Sequence, residues 1–430
     1  MAWFLFLGAI LVLMALSNRW IQAWPVSPAI AYLAVGALFG PAGFALITWS
    51  LREHAALFET ITEVVILISL FAIGLKLRLA WNHPAWHVPV RLATVGMLFT
   101  IALTALAAWA LFELPIAACI LLGAILAPTD PVLASEIQTR HAEDRDAVRL
   151  SLSAEGGIND SAALPAVLLG LGLLGLYPIG ELGVQWLLRD LIWAIGAGLA
   201  IGWLSGRSVA TLVLWLRQRG QALEFEEFLV LGLIALTYGA ALSFQANGFL
   251  AVFAAGLAVR AIEQPPSTAN APSRENDLAP GITAKQAVRA LTSRLLVFTE
   301  QLERLAEVVV VLLIGALLTD IDWSLTLVLF VILMLLVIRK AAVTLVLIGT
   351  PLQQSQRRLL GWFGIRGVGS LYYLSFVLAR EMPAPLVGPL IDATLATVAA
   401  SILLHGVSAT PVMQRYEAAR LRRRARASHS

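Results

Sequence analysis

The feature that most constrains this chain is the recurrence of apolar runs of about 20 residues along almost its whole length. As helices, such runs are long enough to cross a hydrocarbon core of ~30 Å. They leave no room for a separate soluble domain, so residues 1–430 read as a single all-α membrane domain and any function must sit within it. Composition agrees: 59% of residues are hydrophobic and 13% charged, against roughly 45–50% and about 25% in an ordinary soluble domain. The one cysteine, Cys119, lies in an apolar run, so an internal disulfide is impossible and thiolate chemistry has no support.

Thirteen spans are expected, at 2–17, 26–49, 57–76, 89–112, 115–137, 148–175, 184–206, 225–245, 247–262, 296–318, 322–349, 355–379 and 385–412. The first has no basic residue before it and no small-residue cleavage site after it, and reads as a retained helix. Positive charge falls after the odd-numbered spans: Arg19, Lys76 and Arg78, Arg140 to Arg149, Arg207 to Arg219, Arg260 to Arg294, Arg357 and Arg358, and the tail. The positive-inside rule then places the N-terminus outside and the C-terminus in the cytoplasm, and a bacterial inner membrane is the expected location. The formal charge of +3 and pI near 9.2 therefore serve topology, not nucleic-acid binding. Residues 263–284, with Pro265, Pro266, Pro272 and Pro280, read as a cytoplasmic loop between two halves. Residues 413–430 form a short basic tail in which five arginines occupy the seven positions from Arg420 to Arg426, suited to anionic lipid. Gly198, Gly202 and Gly206 repeat every four residues and permit close helix contact, within the chain or between two copies.

Charge at bilayer depth costs at least ~2.5–3.5 kcal/mol, so an acid kept there faces water, a partner or a substrate. In the fifth span, Pro128-Thr129-Asp130-Pro131 sets two prolines around a Thr-Asp pair, which should break the helix and free carbonyls beside a carboxylate. The sixth span carries Glu155-Gly156-Gly157-Ile158-Asn159-Asp160; Glu155 and Asn159 share a helix face and Asp160 points to a neighbouring one. A second break is expected at Gly364-Ile365-Arg366-Gly367-Val368-Gly369-Ser370. Two interrupted spans, one in each half, point to an inverted-repeat transporter with its site where they cross. Arg366 keeps its charge and needs a partner, for which Glu155 is the candidate. Arg339 and Lys340 are expected to neutralise helix ends or to reach back to the cytoplasmic surface.

At these residues the chain resembles the monovalent cation:proton antiporters, and within them the NhaP-type sodium/proton exchangers. The resemblance runs nearly end to end, through Pro25-Val26-Ser27-Pro28-Ala29 and Gly40-Pro41, Thr129-Asp130-Pro131, Glu155 to Asp160, Asn247-Gly248-Phe249-Leu250-Ala251, Gly364 to Ser370, and His405-Gly406-Val407-Ser408-Ala409-Thr410-Pro411. It implies a thirteen-helix fold with two broken crossing helices, a homodimer, and an elevator-like movement of the ion-carrying part. Carried over, Asp160 looks like the residue that binds cation and proton in turn. Asp130 and Thr129 would line a Na+ site with it, Asn159 would shape that site, and Glu155 with Arg366 would form a buried ion pair. No cofactor is implied beyond the transported Na+ and H+. The sequence departs from the family pattern twice: Leu70-Phe71-Ala72-Ile73-Gly74-Leu75 lacks the acid usual before its Gly-Leu pair, and Gly156 stands where many relatives have serine.

Competition of cation and proton for one carboxylate couples their movements, and an amide at Asn159 implies electroneutral one-for-one exchange. Potassium in place of sodium is the nearest alternative. From other classes, an intramembrane aspartyl protease would need Asp130 and Asp160 to share a proton across water, and an ion sensor without transport would follow from the missing third-span acid.

Overall fold

The computed structural model describes residues 8, 12, 27–79, 83–130, 133, 146–219, 225–262 and 284–427, and among them the secondary structure is helical throughout. The helices are α1 (Pro28–Phe39), α2 (Leu51–Lys76), α3 (Pro84–Phe112), α4 (Ile116–Leu126), α5 (Ala147–Leu173), α6 (Glu181–Leu216) and α7 (Glu226–Ser243). They continue as α8 (Gly248–Ala261), α9 (Ala284–Ala316), α10 (Leu325–Val346), α11 (Gln354–Trp362), α12 (Val368–Leu378) and α13 (Ala384–Ala427). Six of them, α2, α3, α5, α6, α10 and α13, are long and apolar enough to cross a bilayer. Large apolar side chains such as Leu98, Leu106, Trp109, Leu188, Leu204 and Leu236 point outward. Such a surface suits acyl chains as its solvent and not water.

The element bounds depart from the sequence reading where prolines and side-chain bonds intervene. The expected first span and the linker up to residue 283 lie outside the described residues, apart from Gly8 and Val12, which are helical. The second expected span, 26–49, is helical only from Pro28 to Phe39. Pro41 has no N–H to extend the ladder, and the chain folds back so that Leu46 and Ile47 both donate to the carbonyl of Phe39 at 3.0 and 2.9 Å. The twelfth expected span is two helices, α11 and α12, with five non-helical residues between them. The last expected span continues without interruption to Ala427, despite Pro389 and Pro411, so that the basic tail begins as a helix.

Two sets of helices meet at the centre. In one, α8 packs on α2 and α6, and α1 packs on α9; in the other, α3, α4 and α5 pack in succession and α10, α11 and α13 close around them. Small residues allow the closest approaches. A Cβ at Gly36 would stand 2.9 Å from the Cα of Leu312, and one at Gly198 would stand 2.7 Å from the carbonyl oxygen of Asn247. Gly202 and Gly206 lie against the backbone of Ala251 and Ala255 in the same way. The Gly198-Gly202-Gly206 stripe is thus used within the chain, between α6 and α8.

Candidate functional site

The two breaks meet each other. Helix α4 stops at Leu126 because Pro128 cannot donate to the turn before it, and Asp130 instead donates its backbone N–H to the carbonyl of Ile365, 2.8 Å away in the gap between α11 and α12. The charges expected at bilayer depth sit at the helix ends created there. The Arg366 guanidinium donates from Nη1 to the carbonyls of Ala127 and Pro128, both at 2.8 Å, at the electronegative end of α4. Its backbone N–H donates to Ser401 Oγ at 2.9 Å. Asp130 does the converse at the electropositive start of α12, where its Oδ2 accepts the N–H of Val368 and its Oδ1 accepts that of Leu133 at 3.3 Å.

This geometry corrects the expected ion pair. Glu155 is paired with Arg339 and not with Arg366. Arg339 Nη1 reaches Glu155 Oε1 at 2.5 Å and Nη2 reaches Oε2 at 2.9 Å, a two-pronged contact between side chains that are both buried. Arg339 Nη2 also donates to the carbonyls of Leu360 and Phe363, at 3.2 and 3.1 Å, at the end of α11. One guanidinium therefore neutralises both a buried carboxylate and a helix C-terminus, while Arg366 serves the other broken helix. A widened turn at Leu333–Ile338 immediately precedes Arg339 in α10. Lys340, the next residue, is exposed and lies over the Trp362 ring at 4.9 Å.

The three glycines of the second break each clear space for one of these charges. A Cβ at Gly364 would lie 2.8 Å from Arg339 Cγ, one at Gly367 would lie 2.9 Å from Asp130 Cγ, and one at Gly369 would lie 2.6 Å from Asp160 Oδ1. These distances are shorter than any side chain tolerates. The Gly-rich run is therefore a row of notches as well as a helix breaker.

Asp160 and Asn159 lie on α5, each 2% exposed. Asn159 Nδ2 donates to Thr129 Oγ1 at 2.8 Å, which ties α5 to the first break. That leaves Asn159 Oδ1 buried with no hydrogen-bond partner, and Asp160 Oδ1 is in the same condition. An unsatisfied buried oxygen of this kind costs about 1–3 kcal/mol, and more when charged. Tyr373 on α12 donates its hydroxyl to the backbone carbonyl of Asp160, fixing that turn. Gly156 and Gly157 add no side-chain oxygen, and a Cβ at Gly157 would stand 3.2 Å from Ile73 Cγ2. Ile73 of the third-span stretch that lacks an acid and Phe253 of α8 thus give α5 an apolar wall at Gly157. Among the described residues no group of three or more His, Cys, Asp or Glu could hold a metal ion.

The transmembrane sodium/hydrogen exchanger family model matches residues 6–415. The chain belongs to the sodium/hydrogen exchanger family. This exchanger-family chain is 30% identical over 228 residues to a protein of Alkalimonas amylolytica named K(+)/H(+) antiporter NhaP, which is 53% of this chain and 38% of that relative. It is 30% identical over 151 residues, 34% of its own length and 19% of the relative's, to Na(+)/H(+) antiporter 2 of Zygosaccharomyces rouxii. The chain thus spans well under half the length of these curated relatives. The solved structure of the sodium proton antiporter MjNhaP1 from Methanocaldococcus jannaschii at pH 8 superposes with a TM-score of 0.71 at 21% identity, covering 95% of this chain and 96% of that one. At that identity the match shows the fold.

Some residues around the site were not singled out from the sequence. Ser401 and Tyr373 are ordinary residues of apolar helices whose hydroxyls matter only because the breaks bring backbone to them. Glu59 and Glu63 on α2 did carry a signal, being acids four residues apart in an apolar helix. Glu63 accepts a hydrogen bond from the Tyr238 hydroxyl, and Glu59 lies 3.6 Å from Arg380 at the end of α12.

Proposed function

We propose that this protein is a secondary antiporter that exchanges Na+ for H+, one for one, at a site centred on Asp160. The observation that carries the reading is the pair of buried, unpartnered oxygens, Asp160 Oδ1 and Asn159 Oδ1, on one helix beside the crossing of the two breaks. A small monovalent cation supplies the positive charge that both oxygens lack, and a proton on Asp160 relieves the same deficit. Only one of the two occupies the carboxylate at a time, and alternating access of the loaded site gives exchange. Thr129 holds Asn159 in place, and Asp130, whose two oxygens both accept backbone N–H groups, holds the start of α12. Glu155 and Arg339 form a neutral brace beside the site. With Asp160 as the one acid that takes up and releases the proton, the exchange is electroneutral.

The N-terminus lies outside and the C-terminus in the cytoplasm of a bacterial inner membrane, as the distribution of Lys and Arg implies. The working unit is a homodimer, by analogy with the family. Potassium is a second reading, favoured by the Alkalimonas relative's name and by the apolar Ile73 wall, which leaves fewer oxygens to strip the shell of a smaller ion. A protease reading finds no support in Asp130, whose two carboxylate oxygens accept backbone N–H groups.

The test is cation-induced dequenching of a pH-sensitive dye in proteoliposomes, with Na+, K+ and Li+ tried separately on the wild type and Asp160→Asn. A Na+ signal lost in the variant is expected. A K+ signal alone moves the assignment to potassium, and silence of the wild type with every cation across a pH series sinks the antiporter reading.

A further inference from the structure

Between the end of α10, the start of α11 and the C-terminal part of α13 lies a cavity of about 1030 Å³. Its wall carries Lys340, Arg357, Arg358, Arg415 and Arg420, and among the described residues no Asp or Glu lines it. The positive-inside tendency explains basic residues at this end of the molecule. It does not explain why five of them gather around one concavity. Of the five, Arg420 is paired with a carboxylate, Asp146 at 2.7 Å, from outside the cavity wall. Arg357 donates from Nη2 to the carbonyl of Thr350 at 2.6 Å, but its Nε is buried with no partner. Arg358 and Arg415 are exposed and form no ion pair among the described residues. The N-terminus of α11 opens on the same space through Gln353 to Gln356 and adds its own partial positive charge.

Like charges gathered in a concavity repel each other and focus a positive potential outward. An anion with several oxygens relieves that repulsion, and planar guanidinium forks match phosphate oxygens two at a time. The cavity also has an apolar side. Ile348, at the end of α10, is 61% exposed, and Trp362 and Val412 continue the surface inward. A charged head beside an apolar strip, at the level where the helices leave the hydrocarbon, matches an amphiphile.

We propose that this cavity is a binding site for a phosphate-bearing anion, supplied as the headgroup of an anionic phospholipid. The site is separate from the oxygens around Asp160 and does not depend on which cation is carried. Its wall has a mechanical connection to the centre. Tyr416 and Arg420 both reach Asp146 Oδ2, at 3.0 and 2.7 Å, while Asp146 Oδ1 caps α5 by accepting the N–H of Val148 at 2.9 Å. A headgroup held by Arg415 and Arg420 therefore keeps the tail helix seated on the start of the helix that carries Asp160.

The experiment is a thermal-unfolding series on the full-length purified protein in a neutral detergent, titrated with phosphatidylglycerol, phosphatidylcholine or inorganic phosphate. The proteins compared are the wild type, Arg358→Gln/Arg415→Gln, and Arg422→Gln, which removes a basic residue outside the cavity wall. Phosphatidylglycerol is expected to raise the melting temperature of the wild type and the Arg422 variant while phosphatidylcholine does not. The double variant should need roughly tenfold more phosphatidylglycerol for the same shift, the loss of two partly exposed charge contacts. Protection by inorganic phosphate at millimolar concentration, lost in the double variant, supports the site but assigns a soluble phosphate as its source. Equal responses of wild type and double variant to every additive, or no response at all, overturn the proposal.

Discussion

In the proposed exchange Asp160 Oδ1 takes cation and proton in turn, and it is buried without a hydrogen-bond partner. If a proton and a cation compete for it, raising the pH should lower the apparent KM for Na+. The change should approach tenfold per pH unit where the site is mostly protonated. Initial rates of dye dequenching at several Na+ concentrations between pH 6 and 9 measure this, and a KM independent of pH would count against a shared site. Gly369→Ala is a second residue-scale test, because the added methyl would stand 2.6 Å from Asp160 Oδ1. It should cut transport at least about tenfold while costing about 1–3 kcal/mol of stability, the ordinary penalty of overpacking. The acids and prolines involved were legible in the sequence, since charges and helix breakers at bilayer depth are rare and costly. The role of the glycines was not, because a notch is defined by the side chain that enters it from another helix.

At the scale of elements, each of the three broken ends among the described residues is matched by a charge of the opposite sign. The carbonyl end of α4 meets Arg366, the carbonyl end of α11 meets Arg339, and the amide end of α12 meets Asp130. The sequence suggests Glu155 for Arg366 because each of those charges is costly alone, and it assigns Arg339 to a helix end or the cytoplasmic surface. Linear distance carried no information on which guanidinium the folded chain would bring to Glu155. A double-mutant cycle separates the two arrangements. Glu155→Gln should destabilise the protein by about 3–5 kcal/mol by leaving Arg339 charged and buried, and Arg339→Gln should be largely non-additive with it. Glu155→Gln and Arg366→Gln should combine closer to additively. Strong coupling to Arg366 instead, read from melting in detergent, would restore the original pairing.

At the scale of the molecule, two helix sets touch along close-packed faces, and α6 lies against α8 through Gly198, Gly202 and Gly206. A Cβ at Gly206 would approach the Cα of Ala255 to 2.8 Å. Gly206→Leu should therefore lower the melting temperature markedly, whereas a stripe reserved for contact between two copies would lose the dimer and keep the monomer's stability. Size-exclusion chromatography with light scattering, run beside the melt, tells these apart. The proposed electroneutral exchange is also tested on the whole molecule: imposing a potassium-diffusion potential on the proteoliposomes should leave the Na+-driven rate unchanged. A rate that follows the potential would mean unequal stoichiometry.

By itself the sequence determined the membrane environment, the all-helical class, the family motifs and the two places where helices break. Each of these follows from local chemistry: the apolar length needed to span a bilayer, the missing N–H of proline, the price of charge in hydrocarbon. Tertiary structure alone decided that the two breaks bond to each other through Asp130 and Ile365, that Arg339 holds Glu155, and which residues ring the basic cavity. Those are contacts between segments up to hundreds of residues apart. They are selected by the whole packing arrangement, and no local pattern of residue types records them.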